Sequence, residues 1–123
     1  MECRLSYVRV FVRDWPRALH FYGETLGIPF AWKSEEMGWA QLATGVAQLA
    51  LERFTPGEEE DLVGRFLGVS LAVEDIDATY EELRGRGVEF LSPPERMPWG
   101  GVLAHFRDPD GNVLTLIGQP MRA

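Results

Sequence analysis

The amino-acid sequence predicts an α+β fold of two βαβββ modules that pair their sheets into an open cup with the helices outside. Three observations carry that prediction. Tyr7-Val8-Arg9-Val10-Phe11-Val12-Arg13-Asp14 alternates with the two-residue period of a strand and stops at an aspartate, and Gly68-Val69-Ser70-Leu71-Ala72-Val73-Glu74-Asp75 repeats the pattern. Each aspartate is followed by apolar residues at helical spacing, and each helix runs out at a glycine, Gly27 or Gly87. Each half then closes with two strand-like runs about a glycine-containing turn.

The elements follow in order. In the first strand Val8, Val10 and Val12 face the helices, which leaves Tyr7, Arg9 and Phe11 on the other face. Asp14 suits a helix N-cap, Pro16 is tolerated in the first turn, and Trp15, Ala18, Leu19, Tyr22 and Leu26 form the buried stripe. Gly27 leads into a short strand containing Phe30, and the runs WAQLA and VAQLALERF flank Gly45. The acidic, proline-containing stretch Thr55 to Asp61 reads as a solvated connector. In the second half Ile76, Thr79, Tyr80 and Leu83 make the helical stripe, Phe90 lies in the strand after Gly87, and GVLAHF and NVLTLI flank a DPDG turn. The expected boundaries are module one at about 1–54, a linker at about 55–64 and module two at about 65–119, together forming a single domain.

Composition bounds the function. The 123 residues are 46% hydrophobic and 25% charged, enough for a core and unlike a disordered or collagenous chain. A formal net charge of -7 disfavours a protein that grips phosphate backbones, so nucleic acid is not an expected partner. No stretch approaches the roughly 20 apolar residues of a membrane span. Cys3 is the sole cysteine, which rules out an intrachain disulfide and fits a reducing cytoplasm. No GxSxG elbow surrounds Ser70, and no Walker or GxGxxG loop occurs.

On the run VRVFVRDWPRALHFYGETLGIPF (8–30), on VSLAVEDIDATYEELRGRGVEF (69–90) and on HFRDPDGNVLTL (105–116), the chain resembles the vicinal-oxygen-chelate superfamily of glyoxalase I, extradiol dioxygenases, fosfomycin-resistance transferases and bleomycin-resistance proteins. The D-x-x-R-x-x-x-F-Y-x-x-x-L-G run and the DPDGN hairpin carry the likeness. Metal-dependent members place two ligands in each half, one seven residues before the strand-ending aspartate and one in the strand after the glycine hairpin. By that resemblance the four positions are Tyr7, Ala50, Gly68 and Thr115, with Ala50 placed by matching Leu49-Ala50-Leu51 to Leu114-Thr115-Leu116. None offers the imidazole or carboxylate a divalent ion prefers, so neither a metal ion nor another cofactor is expected.

The residues sharing a face with those positions, together with Trp99 in the loop before Gly100-Gly101 as the group to close the mouth, become the candidate ligand-binding set: Tyr7, Arg9, Phe11, Trp39, Gln48, Ser70, Trp99, His105 and Thr115. By resemblance to the fosfomycin-resistance relatives, His105 and Arg9 take substrate-contacting positions. The first-half counterpart of His105 is expected near Trp39, with Gln41 two residues further on. Trp15 and Trp32 are assigned to core or interface, His20 to a structural role, and Arg107 to the hairpin.

The sequence therefore reads as a metal-independent binding protein that holds or sequesters an aromatic or anionic small molecule, with no catalytic residue assigned. Resemblance to the bleomycin-resistance subgroup adds a homodimer. The alternative is a superfamily enzyme, a lyase, isomerase or dioxygenase, with a metal on other ligands or His105 as acid and base alongside Tyr7. A third reading fills the cup with its own side chains.

Overall fold

The computed structural model describes residues 1–54, 57 and 60–118; Thr55, Pro56, Glu58 and Glu59 of the expected connector, and Gln119 at the expected end of module two, lie outside them. The chain divides into two units, Met1–Gly64 and Arg65–Ala123.

In the first unit β1 (Tyr7–Val12) runs parallel to β4 (Gln48–Arg53), and β4 is followed outward by β3 (Trp39–Leu42) and β2 (Phe30–Ser34), giving the order β1-β4-β3-β2. The β1–β4 pairing is the parallel partnership that a helical crossover makes possible. That crossover is α1 (Trp15–His20), continued without a break by a π-helical turn, Phe21–Thr25. Asp14 caps it by accepting a hydrogen bond from the Arg17 amide, and Pro16 sits in the first turn. Val10, Val12, Ala40, Leu42, Leu49 and Leu51 pack against Trp15, Ala18 and Tyr22 to form the core of the unit.

The second unit repeats the plan. β5 (Phe66–Val73) pairs parallel with β9 (Val113–Gly118), β9 pairs antiparallel with β8 (Val102–Arg107), and α2 (Ile76–Gly85) makes the crossover. Asp75 caps α2 through the Ala78 amide, as Asp14 caps α1. Ile76, Tyr80, Leu83 and Val88 cover Ala104, Phe106, Leu114 and Leu116. One departure from the expected βαβββ order is clear: the strand after α2 is split into β6 (Glu89–Phe90) and β7 (Glu95–Arg96), both paired to β8. Ser92-Pro93-Pro94 separates them, and prolines cannot donate to the ladder.

The turn between β8 and β9 is a side-chain device. Asp108, 5% exposed, accepts hydrogen bonds from the Asp110 and Asn112 amides through Oδ1 and from the Asn112 side chain through Oδ2. The equivalent turn of the first unit is held by Thr44, whose hydroxyl donates to the Ala47 carbonyl and accepts from the Leu49 amide.

Candidate functional site

Register decides which side chains meet. In the first unit Tyr7 stands opposite Gln48, Arg9 opposite Ala50 and Phe11 opposite Glu52, while Ala50 in turn faces Gln41 and Glu52 faces Trp39. Trp32 on β2 is opposite Gln41. One face of the sheet therefore carries Tyr7, Arg9, Phe11, Trp39, Gln41 and Gln48, with Trp32 at its β2 side, and the valines and leucines take the helix side.

Tyr7 and Trp39 meet edge to face with ring centroids 5.0 Å apart. The register sets Ala50 between them, which accounts for its being 0% exposed; Phe11, on the same face, is buried as well at 5%. Arg9 lies with its guanidinium 5.3 Å from the Phe11 ring centroid and donates to Glu52 at 3.2 Å. Its side chain stays 52% exposed, so its charge is balanced by Glu52 without leaving solvent. Both indole nitrogens, Trp32 Nε1 at 3.1 Å and Trp39 Nε1 at 2.9 Å, donate to Gln41 Oε1, and Gln41 Nε2 donates to Gln48 Oε1 at 2.7 Å.

In the second unit Ser70, Thr115 and His105 are consecutive partners across β5, β9 and β8. The Thr115 hydroxyl and His105 Nδ1 share a 2.7 Å hydrogen bond, and the Phe66 ring packs edge-on against the imidazole at 5.5 Å. Phe66 pairs with Val113 and Ser70 with Thr115, so β5 carries two extra residues over that span. Gly68 sits within the bulge at φ +72°, a backbone conformation that L side chains rarely adopt.

Of the nine candidates, Tyr7, Arg9, Phe11, Trp39 and Gln48 converge on one face of the first unit, and Ser70, His105 and Thr115 on one face of the second. Trp99 stands apart: it is 58% exposed in the turn before β8, over Gly101, and no hydrogen bond or ring contact among the described residues joins it to His105. Two assignments need correction. The first-unit counterpart of His105 is Gln41, because Gln41 faces Ala50 as His105 faces Thr115; Trp39 is two residues removed. Trp32, assigned to core or interface, does not lie in the core: it is 46% exposed and bonded into the Gln41 network. An indole reads as core by composition alone, and only cross-strand pairing reveals its partner. Arg107 pairs with Glu89 of the neighbouring β6. His20 borders a separate open cleft of about 510 Å³ lined by Leu19, Gly23, Glu24, Phe30 and Lys33, none of them a predicted site residue.

The four positions at which related proteins hold a metal do not fit a divalent ion in this chain. Tyr7 is a phenol packed on Trp39, Ala50 is a buried methyl group, Gly68 is a bulged glycine and Thr115 is bonded to His105. Among the described residues no three His, Cys, Asp or Glu side chains cluster as a metal site would require.

Comparison with known proteins places the chain. The family model described as Glyoxalase/Bleomycin resistance protein/Dioxygenase superfamily matches residues 4–116. A crystal structure of a member of that superfamily from Sphaerobacter thermophilus DSM 20745 is similar with a TM-score of 0.83 and 32% identity, covering 96% of this chain and 98% of the other. TnmS3, an antibiotic binding protein from Streptomyces sp. CB03234, gives a TM-score of 0.80 at 32% identity over 98% of each chain. A bleomycin resistance protein of Klebsiella pneumoniae is 31% identical over 90% of this chain and 89% of its own length. The chain belongs to the glyoxalase/bleomycin resistance protein/dioxygenase superfamily, and its α+β architecture of two sheets is that of the superfamily.

Proposed function

We propose that this protein binds an aromatic or anionic small molecule without a metal ion, as a holding or sequestering protein rather than a catalyst. The observation that carries the reading is the face of the first unit, where Tyr7, Trp32 and Trp39 surround two carboxamides and the half-exposed guanidinium of Arg9. Aromatic rings supply contact area at low entropic cost, and a few fixed polar groups supply orientation. Likeness to an antibiotic binding protein and to a bleomycin resistance protein supports a ligand-holding role. On this reading the two modules work as one domain, as a cytoplasmic homodimer with no nucleic-acid partner. No helix among the described residues is long and apolar enough to cross a membrane.

The test is a thermal-shift panel of cationic glycopeptides, anionic metabolites and aromatic compounds, followed by calorimetry on the hits. A ligand at 100 times its dissociation constant adds about 2.7 kcal/mol of stability. Trp39→Ala should weaken every aromatic hit by on the order of tenfold or more, matching a lost aromatic contact of about 1.5 kcal/mol or greater. Retained affinity in that variant, or stoichiometric metal surviving dialysis, would overturn the reading.

An enzymatic reading has one observation in its favour. The bond to Thr115 occupies His105 Nδ1 and leaves Nε2 as the ring nitrogen open to a bound molecule. Turnover of a bound hit that disappears in His105→Asn would decide for it.

A further inference from the structure

An indole N–H can only donate. Two of them converge on one side-chain oxygen, so Gln41 has no freedom: Oε1 must receive Trp32 and Trp39, and Nε2 must point the other way. There it meets Gln48 at 2.7 Å. A second NH2 group at that place would set donor against donor, so Gln48 must offer Oε1 and turn its own Nε2 outward. The orientation of an amide is ordinarily a matter of choice between two similar ends. Here two groups with no acceptor capacity fix it for both glutamines in succession. Gln48 Nε2 makes no hydrogen bond with any of the described residues, and its residue is only part-buried.

Arg9 adds a second donor to the face. Arg9, one step along the face from Tyr7 and Gln48, cannot accept a hydrogen bond, and the carboxylate close to it, Glu52, is engaged with Arg9 NH1. The face thus turns donors outward beside aromatic rings, at Gln48 Nε2 and at Arg9, and Arg9 NH1 engages Glu52 Oε1.

We propose that the first-unit face is specific for planar aromatic molecules bearing an unprotonated oxygen acceptor (a ring carbonyl, carboxylate or phenolate), with Gln48 Nε2 as the group that reads that oxygen and Gln41 as the residue that positions it. The proposal rests on the binding function put forward above and names its ligand class.

Four probes of one shape separate the two claims: 2-acetylnaphthalene, its isostere 2-isopropenylnaphthalene in which the carbonyl oxygen becomes CH2, 2-naphthoate and 2-naphthamidine, each titrated calorimetrically. The wild type should favour acetyl over isopropenyl, and naphthoate over naphthamidine, by on the order of tenfold, the scale of one hydrogen bond at its upper range. Gln48→Glu keeps an acceptor for Gln41 Nε2 but ends the relay in a carboxylate oxygen, and should reverse the preference to naphthamidine over naphthoate. Gln48→Met, which removes the NH2 without adding charge, should bind acetyl and isopropenyl equally, and serves if the glutamate variant does not fold. Gln41→Leu, which removes the acceptor that orients both indoles and the donor that orients Gln48, should lower the ratio of acetyl to isopropenyl affinity toward one, the readout that separates positioning of Gln48 from a general loss of binding. Probes that bind the wild type without discrimination, or a preference unaltered by both Gln48 variants, would overturn this inference and leave the binding function standing. Failure of all four to bind while the thermal-shift panel yields other hits would overturn this inference alone, and a panel without a single hit would overturn the binding function and the inference with it.

Discussion

The two units share a plan and differ in what they put on it. Equivalent registers pair Arg9, Ala50 and Gln41 in the first and Ser70, Thr115 and His105 in the second. The first unit lets a small residue sit beneath the meeting of two large rings and binds its polar groups into an amide relay. The second keeps small side chains along β5, ties its one imidazole to a hydroxyl and bulges the strand at a glycine. One backbone arrangement thus carries different side chains at matched positions: the first face gathers aromatic rings about an amide relay, and the second sets an imidazole among small groups. The frame itself is conserved by local chemistry: both crossover helices start at an aspartate that caps the third amide beyond it, and both end before a glycine with positive φ.

The turns offer the largest way to separate the units. Asp108→Ala should cost about 3 kcal/mol, because two buried donors and one part-buried donor lose their acceptor, whereas Thr44→Ala in the matching turn should cost about 1 kcal/mol. Hydrogen exchange read on β9 and β4 checks this. Comparable losses would show that Asp108 does not hold the second hairpin. Next in size is Ala50→Leu, expected to destabilise by about 2 kcal/mol through overpacking and to drive Tyr7 and Trp39 apart. Chemical denaturation and the near-ultraviolet circular dichroism of the aromatic pair measure both effects, and an unchanged spectrum would mean that the rings do not depend on the small residue between them. Smallest is Gly68→Ala, about 1 kcal/mol. An added Cβ there approaches nothing nearer than the Phe66 ring at 4.0 Å, so the whole cost is backbone conformation. A neutral result would place the bulge in a conformation open to any residue.

Much of this frame was legible in the sequence because it is written in local signals. Strand alternation, the Asp14 and Asp75 caps, Gly27 and Gly87, and the DPDG turn each concern a few adjacent residues. What escaped is set by pairing between distant strands. Whether Trp39 or Gln41 matches His105 depends on the register of β3 against β4, and two residues of slack in aligning the halves suffice to misplace it. Trp32 was missed for the same reason, since its partner Gln41 lies on another strand. The division of the strand after α2 could have been drawn from Pro93-Pro94, which remove two ladder donors in succession. Gly68 was marked as lacking a ligand, but its bulge needs knowledge of where both Phe66 and Ser70 are paired.

The bulge in β5 behaves toward the sheet as an in-frame insertion behaves toward a gene. Side chains alternate between faces with a period of two, so an insertion of two residues lengthens the strand and leaves the sense of everything downstream intact. Phe66, Gly68, Ser70 and Ala72 remain on the accessible side through the irregularity, as the unbroken alternation of exposure along the strand records. A single extra residue keeps the downstream faces only where a bulge absorbs it, as β2 does between Phe30 and Trp32. A pair of extra residues in β5 needs no such correction of sense, which leaves a route by which the face can be reshaped without being turned inside out.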